Sequence, residues 1–278
     1  MKTTLLLILL PIIILLSIGC QKPEPLRIAC SSDMLPVVTV LGREFQKHFG
    51  VPMSVMCYEQ DAFAAEDSTH FDFVITDDLD LIDLLLEQGT ISTITDIGYA
   101  MPAMVLRRSD NLPVLKLADL AAVDRPLRMT IASTNGTLPQ IVKARFEQTG
   151  IPLQGGEAKI RLMRFLIREI RSDGTEQQTT PETMLQQLID QETDIVVFWD
   201  FVAAGAMAKH ADSGSFVTVA WPQEPSDTIT IPLGLIKDCA GFSDCKVFVD
   251  FVKSRRGSEL LQSCFLHPGD DLAGTRSQ

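Results

Sequence analysis

Short apolar runs alternate with one-sided helical patterns along most of the chain. "RIAC" (27–30) predicts a strand. Val37, Val38, Leu41 and Phe45 then mark one face of a helix over 34–48, which stops at Gly50. "MSVMC" (53–57) predicts a second strand and residues 62–67 a short helix with Asp61 as its N-cap. "FDFVIT" (71–76) predicts a third strand. Leu79, Ile82, Leu85 and Leu86 give a helix over 79–88 that ends at Gly89. "YAMPAMVLRRS" (99–109) reads as a crossing strand.

The same unit recurs in the middle of the chain. "LRMTIAS" ends at Ser133, and "TNGTLPQIVKARFEQTG" then supplies a polar joint, a helix and a Gly stop. "TTPETMLQQLIDQET" opens with Thr180 as N-cap and Pro181 at the first helical position. "DIVVFW" is a strand, followed by a helix, "DFVAAGAMAKH", capped by Asp200. "SFVTVAW" and "TITIPLGLI" are strand-like, a final helix runs from Lys246 to about Gln262, and "HPGDDLAGTRSQ" is expected to fray. Residues 159–172 carry Arg161, Arg164, Arg168 and Arg171 at steps of three and four. That predicts a surface helix, or a contact for anionic lipid or a partner. Strands alternating with helices imply parallel pairing with crossover helices.

Composition narrows the class. Apolar residues make up 46% of the 278 and charged residues 22%, which is a globular balance. The length suits two lobes. A net charge of -12 argues against non-specific nucleic-acid binding, which needs a basic face. It leaves room for a small anion, because helix N-termini bind anions without net positive charge. Lys2 followed by the apolar run Leu5–Leu16 reads as a secretory signal, shorter than the roughly 20 residues of a membrane span. "LSIGC" resembles the lipobox of bacterial lipoproteins, with Ser17 where Leu is usual. That resemblance implies cleavage after residue 19 and a lipid on Cys20, with residues 20–25 as a short tether. Without Cys20 five cysteines remain, so one is left over within the chain. Cys239 and Cys245 flank a short loop and could pair. Cys30 and Cys57 end successive strands and could also meet. Neither spacing suits zinc.

In order and pattern, "LRIACSSDMLPVVTVLGREFQKHFGVPMSV", "FDFVITDDLDLIDLLLEQGTI", "IASTNGTLPQIVKARFE" and "TPETMLQQLIDQETDIVVFWD" resemble the periplasmic molybdate-binding proteins of ABC importers, from about Leu26 to Leu266. The resemblance implies an α/β, two-lobed periplasmic-binding-protein fold of type II, each lobe a mostly parallel sheet flanked by helices, with a ligand cleft between. It implies a first lobe of residues 26–104 with 220–268 and a second of 105–219, leaving 269–278 as a tail. The crossings would lie near Ala100–Arg108 and Val219–Ile231, and the lobes would close by hinge motion.

Residue by residue, the family's first serine fits Ser31 or Ser32. Its second serine falls in "CYEQDAF", where Glu59, Gln60 and Asp61 stand instead. Its Val-Pro-Ala joint falls on "TNGTLPQ", and its binding tyrosine on Trp199, which donates only through its indole N–H. The expected ligand set is therefore Ser31, Ser32, Asp61, Thr134, Asn135, Thr137 and Trp199. The expected partners are a small oxyanion such as molybdate or tungstate, an ABC permease, and the membrane through the lipid. Asp61 would repel a dianion unless it caps a helix. Ser31 and Ser32 could equally be helix caps, as could Asp61, Asp77 and Asp200. The four histidines are scattered. No Ser–His–Asp grouping, metal cluster, calcium loop or cofactor motif is evident, so no catalytic role is expected. An altered cleft for another small ligand, or a sensory or partner-binding lipoprotein, is the alternative.

Overall fold

The computed structural model describes residues 24–58, 70–110, 114, 117–123, 125–132, 137–151, 160–163, 168–170, 176–178, 180–221, 227–237, 239 and 243–268. Its two principal sheets divide the chain. The first combines β1 (Leu26–Cys30), β2 (Met53–Cys57), β3 (Phe73–Ile75), β4 (Ile91–Ala100), β12 (Ile229–Ile236) and β13 (His267–Pro268), in the order β13-β4-β12-β3-β1-β2. The second combines β5 (Pro102–Arg107), β6 (Leu127–Ile131), β7 (Ile160–Met163), β10 (Ile195–Trp199) and β11 (Phe216–Ala220), in the order β11-β5-β10-β6-β7. A small hairpin joins β8 (Arg168–Ile170) to β9 (Glu176–Gln178).

The parallel pairs are β1–β2, β1–β3, β6–β7 and β6–β10. The strands that carry the chain between lobes pair antiparallel, β12 with β3 and β4, and β5 with β10 and β11. The expected mostly parallel sheets are therefore mixed, because a strand entering from the other lobe arrives without a crossover helix.

The helices form where the apolar faces predict them. α1 (Leu35–Phe49) buries Val37, Val38, Leu41 and Phe45 and ends at Gly50, whose φ of 71° suits glycine. α2 (Leu79–Glu87) buries Leu81, Ile82 and Leu85. α3 (Thr137–Thr149), α4 (Pro181–Ile189) and α5 (Asp200–Lys209) serve the second lobe. Thr180 caps α4 by accepting from the Thr183 N–H. The expected single C-terminal helix is two, α6 (Ser243–Lys253) and α7 (Arg255–Ser263). Ser254 breaks it by capping α7 through the Gly257 N–H. Gly257 is required there, since a Cβ would stand 2.1 Å from the Val252 carbonyl oxygen.

Three other expectations change. Residues 99–109 are not one strand: the chain leaves the first sheet at Ala100 and enters the second at Pro102. The expected Arg-lined helix over 159–172 contains strands β7 and β8 instead. β7 is bonded in parallel register to β6, from Leu127 opposite Ile160 to Thr130 opposite Met163. A neighbouring strand's hydrogen bonds thus outweigh a local helical spacing. Finally, Cys239 and Cys245 form a disulfide, whereas Cys30 and Cys57 do not, although they sit opposite each other on β1 and β2. Cys30 is buried and its thiol is pushed up to about 12, first by burial and then by Cys57; the Cys57 thiol donates to the Tyr58 carbonyl at 3.9 Å.

Candidate functional site

Three strand ends meet between the lobes. Ser31 follows β1, Asp77 follows β3 after Thr76, and Trp199 ends β10 of the other sheet. All three are parallel-paired strands, and the crevice at their carboxyl ends is where open α/β sheets bind ligands. The Ser31 hydroxyl donates to Asp77 Oδ1 at 2.7 Å. The Trp199 indole N–H donates across the lobes to Asp77 Oδ2 at 2.7 Å. Each side chain is nearly enclosed: Ser31 is 4% exposed, Asp77 4% and Trp199 0%. Asp77 thus takes one neutral donor from each lobe.

The surroundings are acidic. Burial, and then the charge of Asp77, push the half-buried Asp33 carboxyl well above its ordinary value. Burial likewise raises Asp78, which caps α2 by accepting from the Leu81 N–H at 3.2 Å. Tyr58, buried beside Thr76, Asp77 and Asp78, has its phenol raised by burial first. The Asp78 N–H donates to Thr76 Oγ1 at 3.0 Å, so the turn around Asp77 is held on both sides.

A second contact between lobes lies beside the first. Thr137, the first residue of α3, accepts from the Leu79 N–H at the start of α2 at 3.3 Å. Gln140 donates to Asp80 at 3.0 Å. Helix N-termini from both lobes therefore face each other here, each a centre of partial positive charge.

The crossing itself is clamped by Asp200. Asp200 was expected to cap α5, but the N-cap is Trp199 and Asp200 is the first helical residue. Its Oδ1 accepts from the Met101 and Phe201 N–H groups, and its own N–H donates to the Met101 carbonyl at 2.8 Å. Its Oδ2 lies 3.0 Å from His267 Nε2, and the His267 ring stacks on Tyr99. Burial raises the Asp200 carboxyl.

Of the residues expected at the site, the structure brings Ser31 and Trp199 together and places Thr137 at the neighbouring contact between lobes. Ser32 is exposed in the turn before α1, its carbonyl accepting from the Leu35 N–H. Neither serine caps α1, whose N-cap is Met34. Asp61, Thr134, Asn135 and Cys20 lie outside the described residues. Asp77 was expected only as a helix cap, but Asp78 caps α2 and Asp77 instead joins Ser31 to Trp199. The available signal was "ITDD", two acids before a helix that needs only one cap. Among the described residues, the one grouping of metal-ligating types is Asp72 with Cys239 and Cys245, and the disulfide takes both sulfurs. No described helix is long and apolar enough to cross a membrane.

Solved structures share this fold at low identity. A tungstate ABC transporter protein from Geobacter sulfurreducens aligns at 14% identity and a TM-score of 0.61, covering 86% of this chain and 98% of that one. The periplasmic molybdate-binding protein of Azotobacter vinelandii aligns at 11% and 0.57, covering 87% and 98%. Iron-bound HitA of Pseudomonas aeruginosa aligns at 13% and 0.64, covering 88% and 86%. No curated protein matches the chain in sequence. The sequence profile of the bacterial extracellular solute-binding proteins matches residues 26–264, and the chain belongs to that family.

Proposed function

We propose that this protein is the solute-binding component of an ABC importer, exported, held to the membrane by a lipid on Cys20, and binding a small oxyanion of the molybdate or tungstate kind between its lobes. One convergence supports the oxyanion. The Ser31 hydroxyl and the Trp199 indole N–H reach from different lobes to the two oxygens of one carboxylate. A donor pair that suits a carboxylate suits the oxygens of a tetrahedral oxyanion, and Trp199 can only donate. The partial positive charge at the helix N-termini acts in the same direction. The protein has no catalytic role in this reading. Thr137, with Ser32, Asp61, Thr134 and Asn135, completes the proposed ligand set, and the permease receives the solute after lobe closure.

Calorimetric and melting titrations with molybdate, tungstate, sulfate and phosphate test this. A solute that binds only the folded form raises stability by about 2.7 kcal/mol at a hundred times its Kd. Saturable binding by at least one of these anions is expected, and no response from any of them would sink the oxyanion reading.

A second reading keeps the fold and changes the solute. It is favoured by the placement of Asp33 against Asp77, two acids near one point of the cleft. In that reading the cleft receives a cationic group. Melting shifts with small amines or metal ions, and none with oxyanions, would select it.

A further inference from the structure

We infer that Asp77 is the cleft's own ligand: its carboxylate holds the Ser31 and Trp199 donors when no solute is bound, and an arriving solute must displace it. This rests on reading the cleft as the solute site.

Asp77 accepts one hydrogen bond from its own lobe, from Ser31, and one from the opposing lobe, from Trp199, and both are short, at 2.7 Å. Among the described residues, Asp77 meets no cation. Its titratable neighbour is another acid, Asp33, so no opposing charge fixes it to the donors. The flanking main chain is tied down: Thr76 Oγ1 accepts from the Asp78 N–H, and Asp78 caps α2. Release therefore needs only a rotation of the Asp77 side chain, not a rearrangement of the turn. Once Asp77 swings away, Trp199 Nε1 is a fully buried donor that cannot accept. A buried donor without a partner is unfavourable, so the cleft demands an acceptor in Asp77's place. The solute that satisfies both lobes must present at least two acceptor oxygens with carboxylate-like spacing. Asp77 also sets selectivity, because a displaced carboxylate stays nearby and repels a dianion.

The test compares wild type with Asp77→Ala and the near-isosteric Asp77→Asn, which guards against a folding defect. Tungstate and molybdate are titrated by calorimetry, and X-ray scattering is recorded without added anion. Removing the internal competitor is expected to tighten anion binding by about tenfold to a hundredfold in Asp77→Ala, with a smaller gain in Asp77→Asn. Adding Ser31→Ala to Asp77→Ala is expected to abolish the gain. Unchanged or weaker binding by Asp77→Ala would overturn the inference. If neither anion binds any variant, the oxyanion reading fails on its own and scattering decides the inference. A larger radius of gyration for Asp77→Ala then supports Asp77 as the tie between lobes, and an unchanged one overturns it.

Discussion

Strand β10 ends in two buried aspartate environments that behave in opposite ways. At its start, Asp194 is surrounded by arginines: Arg125 donates to Oδ1 at 3.0 Å, Arg128 to Oδ2 at 3.1 Å, and Arg107 lies 3.6 Å away. The Arg128 N–H adds a bond at 2.8 Å. At its far end, Trp199 reaches Asp77, whose partners are neutral and whose charged neighbour is another acid. The first carboxylate is compensated and locked. The second is satisfied in hydrogen bonds but not in charge, which is the arrangement of a group meant to be exchanged. Burial alone therefore does not separate scaffold from site; the sign of the neighbouring charge does.

The largest expected effect comes from emptying the arginine cage. Asp194→Ala leaves the buried Arg107 guanidinium with less opposing charge and should destabilise the fold by about 3 kcal/mol. Urea unfolding measures this, and a loss under about 1 kcal/mol would erase the contrast drawn between the two ends. Trp199→Phe removes the donor to Asp77 and also shrinks a fully buried ring. It should cost about 1–2 kcal/mol of stability and weaken oxyanion binding in parallel. Normal anion affinity in that variant would remove Trp199 from the site.

The two ends should also respond to acid with opposite signs. At Asp194, burial alone would raise the carboxyl, but hydrogen bonds from Arg128 and Arg125 outweigh it and hold it below the usual range. Its contribution is complete above the unfolded value near 3.9 and is lost as pH falls through the lower folded value. Asp33 is raised, so its charged form opposes folding at neutral pH, and that opposition is relieved as pH falls through its folded value. Stability should therefore rise as pH falls through the raised Asp33 value and fall only below about pH 4. Asp77→Asn should flatten the first limb and Asp194→Ala the second; a profile unchanged by either would contradict the assignment. The smallest effect is local: in Asp77→Asn the Asp33 carboxyl should titrate closer to an ordinary aspartate, as followed by NMR. No movement would mean that Asp77 is not its charged neighbour.

Local pattern was a reliable guide where one element packs on one face. The helix read over 79–88 is α2, Leu79–Glu87, and the helix read over 34–48 is α1, Leu35–Phe49. It was a poor guide where neighbours decide. The arginine spacing over 159–172 looks helical, yet Ile160–Met163 is a strand because β6 lies alongside to bond it. The first part of β4, Ile91–Gly98, was unread, because its partner β12 comes from more than a hundred residues later.

The candidate site shows the same division. Ser31 and Trp199 could be named from the chain alone, because each sits at a strand–helix joint that local sequence reveals, and Thr137 through the family resemblance. Asp77 could be named only as a helix cap, because its bond to Trp199 joins residues 122 apart in sequence and in different lobes. Sequence by itself determined the alternating α/β order, the strand–helix joints and the donor types at the cleft, since those follow from hydrophobic spacing and side-chain chemistry. Only the tertiary structure decided which donors face one another and that a carboxylate of the chain stands between them, because long-range pairing of strands, not local pattern, brings those joints to one point.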